Sequence, residues 1–202
     1  MGRLTREQSR EITREKLRSA AIREISIAGY TGASIDRICD SAGFSRGAFY
    51  ANFNNKEDLL LDIMRSFNDR EAECWIALIN SDISLGELMP RLRERFADYL
   101  ADRDRILFTS EILLYAKRNQ GFLASYQQEF LAVTLGAERV LQAIFRKAGK
   151  SPHRPVAELA NLMRGLFTGI ALDMEVSDGE LVHSPDVLLI FLEDMLALGK
   201  TA

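Results

Sequence analysis

The sequence predicts an all-α protein, with an N-terminal three-helix domain containing a helix-turn-helix (residues 1–54) and a larger helical domain (residues 55–202). Three observations lead there. Apolar residues recur at helical spacing along most of the chain, and no segment shows the period-two alternation of a half-buried strand. Two short helical segments meet at a glycine corner between Ser34 and Lys56. The charge is also divided. The first 56 residues hold ten Lys and Arg against six Asp and Glu, net +4, and the remainder sixteen against twenty-three, net −7. A basic head on an acidic body suits a nucleic-acid-binding module joined to one that stays clear of nucleic acid.

Residues 1–11 are polar and read as a fraying start. Arg3, Arg6 and Arg10 form either an arm toward DNA or a solvated helix face. From about Thr13 to Ala28, the residues Leu17, Ala21, Ile25 and Ala28 make the buried stripe of a first helix. Gly29-Tyr30-Thr31-Gly32 ends it, with Tyr30 expected to pack beneath the two helices that follow. Ser34 is the N-cap of the second helix, because its hydroxyl accepts from N–H groups that a helix start leaves unpaired. Ile35, Ile38, Cys39 and Ala42 form that helix's apolar stripe, and Gly43 takes the left-handed exit at no steric cost. Ser45 caps the third helix, with Phe44 before the cap and Phe49 at its fourth position, the places of a hydrophobic staple. With Phe49 and Phe53 facing inward, Arg46, Gly47, Tyr50 and Ala51 are left on the outer face. A short helix held this way, with a bare outer face, is what a helix-turn-helix lays into a major groove.

Asn54-Asn55 reads as a turn whose second Asn caps a long fourth helix through Leu60, Ile63, Met64, Phe67, Cys74, Trp75 and Leu78. Lys56 stands at its first position, where an ammonium beside free backbone N–H groups makes a phosphate clamp. Five further helices follow. Ser84 and Glu87 form a capping box opening one that runs to about Leu100, and Ile106–Lys117 is short and apolar. Phe122–Lys147 is long, with Tyr126, Phe130, Val133, Ala137, Val140, Leu141 and Ile144 expected inside. After a turn-rich linker, Gly149–Pro155, come Val156–Val176 and Pro185–Leu198, the latter capped by Ser184 with Pro185 at its first position. These last two are apolar on more than one face, Met174 included, and Gly165 and Gly169 lie about one turn apart, which favours close approach of another helix. Leu162, Leu166, Phe167, Ile170, Leu188, Phe191 and Met195 are therefore expected at a homodimer interface.

The segment GYTGASIDRICDSAGFSRGAFYANFNNKEDLL, residues 29–60, resembles the DNA-binding segment of the TetR family of bacterial transcription regulators. TREKLRSAAIREISIA, residues 13–28, is similar to that family's first helix. Ala33, Cys39 and Asn52 depart from the family's usual Thr, Ala and His or Tyr. The resemblance implies a repressor that holds a pseudo-palindromic operator through Ser34, Arg37, Ser45, Arg46, Gly47, Ala48, Tyr50, Asn52 and Lys56. Lys56 matches the family's phosphate-contacting lysine. The resemblance also implies a larger domain that binds a small-molecule inducer and dimerises. Trp75, Tyr99, Phe108, Glu111, Tyr115, Tyr126, Phe130 and Phe167 are candidates to line the pocket, most aromatics at helical spacing being plain core.

Other classes find less support. His153 and His183 lie far apart, with no Cys or His at metal-ligand spacing, so neither a metal nor another cofactor is expected. No nucleophile elbow, phosphate loop or dinucleotide fingerprint is present, so no enzyme is expected. Cys39 and Cys74 read as buried, inert thiols suited to a reducing compartment. The first residues carry no apolar signal region and no uncharged run nears the ~20 residues of a membrane span, so a soluble cytoplasmic protein is expected. Two alternatives remain open: an all-helical small-molecule carrier without a DNA role, and an architectural DNA binder, against which no apolar wedge stands ready for insertion between bases.

Overall fold

The structure, a computed structural model, describes residues 5–173, 176–177, 180–181 and 186–201. Among them lie nine helices: α1 (Arg6–Gly32), α2 (Ile35–Ala42), α3 (Arg46–Tyr50), α4 (Lys56–Asn80), α5 (Leu85–Ala101), α6 (Arg103–Arg118), α7 (Gln120–Lys147), α8 (Val156–Asp173) and α9 (Asp186–Leu198). Two minute antiparallel pairs accompany them: β1 (Lys150–Ser151) with β4 (Lys200–Thr201), and β2 (Val176–Ser177) with β3 (Glu180–Leu181). The order is the all-α one expected. α8 stops at Asp173, short of Val176, which is in a strand. Arg3, Met174, His183 and the Ser184–Pro185 start of the last helix lie outside the described residues.

The chain forms two compact units, Met1–Phe67 with Arg103–Glu129, and Asn68–Asp102 with Phe130–Ala202. In the first, residues 6–11 are helical rather than a fraying start. Thr5 accepts from the Gln8 N–H while the Gln8 side chain accepts from the Thr5 N–H, a capping box that starts α1 two turns before Thr13. Leu17, Ala21 and Ile25 are buried as expected, with Ala20 beside them. The helical path breaks at Gly29, whose φ of 69° and ψ of 173° belong to a region that is essentially glycine-only.

The break is held from α6. The Tyr30 N–H donates to Glu111 at 2.9 Å, Ser26 donates to Asp104 at 2.8 Å, and the Tyr30 ring stacks on Tyr115 at 3.7 Å. Tyr30 thus packs against α6, which offers it both a ring and an acceptor. Arg14 and Arg18 reach from α1 to the same Asp62 carboxylate on α4. Burial opposes the Arg18 charge, but its hydrogen bonds with Asp62, Glu11 and Glu15 outweigh that and raise its pKa.

In the second unit Leu88 and Leu92 of α5 and Leu188 and Leu192 of α9 are all buried, and α9 starts beside a paired Arg93 and Asp186. Lys147 donates to the carbonyls of Ser81 and Ile83 ahead of α5. Its N-cap Ser84 forms the expected box with Glu87. Along α7, Tyr126, Leu141 and Ile144 are buried as expected, whereas Val133 is exposed. Cys39 is buried and its thiol pKa is pushed up by that burial, but Cys74 is exposed on α4.

Candidate DNA-contact site and ligand cluster

Three local devices aim α3. The Ser34 hydroxyl accepts from the Arg37 N–H and the Ser45 hydroxyl from the Ala48 N–H, both at 3.2 Å. Between them Gly43 sits in the left-handed region at φ 73°, with the Phe44 N–H reaching back to the Cys39 carbonyl at 2.9 Å. Phe49 and Phe53 are buried, as expected, with their rings 5.7 Å apart. Arg46, Gly47 and Ala51 are exposed, Ala48 is half-buried, and Tyr50 stands half out of the surface at 50%. A Cβ at Gly47 would meet nothing closer than the Ser45 hydroxyl at 3.6 Å, so the protein's own packing does not demand glycine there.

The charged residues divide. Arg46 remains on the outer surface and pairs with Asp36 at 3.1 Å, an exposed contact that is easily exchanged. Arg37 is engaged by Glu24 at 3.0 Å. The Asn52 amide donates to the Ala48 carbonyl at 2.8 Å and its Oδ1 is buried without a partner, so the side chain is turned inward. Lys56 departs furthest from expectation. Its ammonium donates to the carbonyls of Tyr30 and Ala33 and lies 3.8 Å from the Tyr30 ring centroid, in surroundings that depress its pKa by desolvation. Lys56 does start α4, and Asn55 caps that helix by accepting from the Asp58 N–H at 2.8 Å. The ammonium thus braces the Tyr30 corner.

The eight pocket candidates divide between the two units, four in each. In the first unit Phe108 is wholly buried, against Phe67, and Tyr126 is buried too. Glu111 accepts from the Tyr30 N–H, and the Tyr115 hydroxyl donates to Glu57. Those two side chains already serve the Tyr30 corner, which is what places them there. In the second unit Trp75, Phe96, Phe167 and Tyr99 make a chain of ring contacts 6.0, 5.9 and 4.6 Å apart. Arg95 lies over Trp75 at 5.1 Å, and Arg164 over Phe130 at 4.4 Å. A shallow cleft of about 360 Å³ lies elsewhere, between Gln142 and Val156, and none of the eight lines it.

Of the interface candidates, Leu188 (0% exposed) and Met195 (3%) are buried in the unit's own core, and Phe167 packs on Phe96 and Tyr99. Leu162 is exposed as expected at 56%, while Leu166, Ile170 and Phe191 are half-buried. The exposed apolar surface of α8 and α9 adds Leu172, Val187, Ile190 and Leu198, and a Cβ at Gly165 or Gly169 would meet nothing within 4 Å.

Sequence reasoning missed Asp104 and Glu111 as partners of α1, and a signal for the start of α1 was present in Thr5-x-x-Gln8.

A capped helix-turn-helix ahead of a helical body defines the class. Residues 17–63 match the family described as "Bacterial regulatory proteins, tetR family". The regulator YerO of Bacillus subtilis strain 168, described as an uncharacterized HTH-type transcriptional regulator, is 26% identical over 191 residues, covering 91% of this chain and 63% of YerO. The HTH-type transcriptional repressor NicS of Pseudomonas putida KT2440 is 28% identical over 150 residues, covering 72% of this chain and 67% of NicS. In fold, the chain resembles the transcriptional regulator FadR of Bacillus subtilis solved with stearoyl-CoA, with TM-score 0.73 at 16% identity over 91% of this chain and 97% of that one. The family match thus covers the head of the chain, residues 17–63, which holds the helix-turn-helix.

The inward ammonium of Lys56 has a measurable consequence. Lys56→Met should lower stability by about 1–3 kcal/mol, through two part-buried carbonyls left unpaired, read as a lower urea midpoint. The salt slope of DNA binding should stay that of the parent. A slope reduced by about one, with stability unchanged, would return the ammonium to the phosphate.

Proposed function

We propose that the chain is a sequence-specific transcriptional regulator, a repressor released from its operator by a small-molecule ligand. It acts as a homodimer on a pseudo-palindromic site, with residues 1–54 reading DNA and 55–202 holding ligand and partner. The observation that carries this reading is the outer face of α3. Arg46 and Tyr50 project there around Gly47, whose missing side chain the protein itself does not require, so the bare backbone suits close approach to another molecule. Arg46→Ala should cost about 1–3 kcal/mol on the selected operator and relax preference at one base position. Binding by this variant that equals the parent's on operator and on altered sequences would overturn the role of Arg46.

The dimer reading rests on the uncovered apolar surface of α8 and α9, where open Gly165 and Gly169 permit close helix approach. Leu162→Glu or Ile190→Glu should give monomers in sedimentation at micromolar concentration, with helical content unchanged. A parent that already sediments as a monomer would refute it.

The ligand reading is supported by the cluster of Trp75, Phe96, Tyr99 and Phe167, and by α4 continuing unbroken from Lys56 to Asn80. Lys56 and Trp75 are nineteen residues apart on that helix. A ligand that favours one tilt of α4 changes the spacing of paired reading helices, which must match the ~34–36 Å recurrence of the major groove. Metabolites screened by fluorescence of Trp75, the single tryptophan, should include one that lowers operator affinity. A compound that perturbs Trp75 with operator affinity unchanged would break the coupling, because linkage is reciprocal.

A further inference from the structure

Affinity for duplex DNA comes largely from cations that neutralise phosphates, and the head spends four of its cations internally. Lys56 is committed to two carbonyls, Arg37 to Glu24, and Arg14 and Arg18 to Asp62. Arg6 and Arg10 are different. Both are exposed, and neither makes a hydrogen bond or ion pair among the described residues. They stand on α1 two turns and one turn before Arg14, on the same stripe of the helix.

Arg14 marks where that stripe leads. Its guanidinium donates to the Asn52 carbonyl at 3.0 Å and lies 4.5 Å over the Phe53 ring, just past the end of α3. With a rise of 1.5 Å per residue, Arg10 and Arg6 sit about 6 and 12 Å beyond that contact along the axis. The neighbouring carboxylates are partly drawn aside. Glu11 pairs with Arg18 at 2.7 Å and reaches Arg14 at 4.0 Å, and Glu15 pairs with Arg18 at 3.0 Å, leaving Glu7 in the first turn. The Thr5–Gln8 box fixes the first turn, so the two arginines project from a formed helix.

We propose that Arg6 and Arg10 form a second DNA contact, a helical rail that binds backbone phosphates of the duplex flanking the segment read by α3. The rail rests on the reading that α3 enters the groove. It adds affinity and footprint without reading bases.

The probe is a duplex recovered by the parent protein from a random-sequence library, prepared with and without flanking base pairs. The parent should bind the flanked duplex more tightly, and the double variant R6A/R10A should lose that advantage. Its slope of log K against log salt should fall by roughly 0.9 for each phosphate contact given up. R6K/R10K should restore much of both, since an ammonium also neutralises a phosphate as a point charge. Base preference and the urea midpoint should stay those of the parent, because both side chains are exposed and bond nothing among the described residues. A double variant with the parent's salt slope and length dependence overturns the rail, and so does one with altered base preference. If selection recovers no sequence at all, the DNA-reading function fails first, and the rail with it.

Discussion

The first unit turns on the corner where α1 breaks at Gly29. A helix that continued would carry the chain past α2. With φ at 69° and ψ at 173°, the backbone instead swings out, and the next N–H, that of Tyr30, is left without a helical acceptor. Glu111 supplies one from α6. A Cβ at position 29 would lie 3.1 Å from the Glu111 carboxylate, a tight contact, and the positive φ itself strains any residue but glycine there. The Tyr30 ring is then held between the Lys56 ammonium and the Tyr115 ring, and the Tyr115 hydroxyl is fixed by Glu57. A ring between a cation and another ring gains from both contacts. The start of α4, the end of α1 and the middle of α6 therefore meet at one residue, and the entry into α2 is set by that meeting.

Much of this architecture was legible in the sequence because it is written in short-range chemistry. Ser34, Gly43 and Ser45 act within three or four residues of themselves, so their spacing alone indicates the turn. The same holds for Ser84 with Glu87 and for Asn55 with Asp58. Thr5 and Gln8 obey the same rule, and the helix they open was obscured only by the polarity of the residues after them, which have no core to face.

What was not legible depends on partners far away in the chain. Nothing local to Glu111 or Tyr115 says that they serve a backbone corner some eighty residues earlier. Their types suit a ligand pocket equally well. Lys56 illustrates the same limit: its position at the helix start was readable, but the direction of a four-carbon side chain depends on which carbonyls the α1–α2 turn presents. Periodicity likewise marks α9 as apolar without fixing which stripe faces its own unit. Leu188, Leu192 and Met195 turn inward, whereas Val187 and Ile190 turn out.

That division of α9 bears on what the second unit is. Its inner stripe meets α5, whose Leu88 and Leu92 are fully buried with it, so the unit has a core without calling on the outer stripe. A solvated helix of a finished monomer would carry polar residues on the side left over. Here Val187, Ile190 and Leu198 stay exposed on α9, and Leu162 and Leu172 stay exposed on α8, where Gly165 and Gly169 keep the backbone open. Isolated surface leucines need no explanation. Five large apolar side chains on two helices that pack together are more than scatter, and glycines with clear space above them suit the close approach of another helix. Asp194, seven residues after Val187 and four after Ile190, falls on the same exposed stripe, so this face is apolar with one carboxylate set into it. An apolar surface of this extent is what a covering partner buries, and the proposed homodimer rests on it.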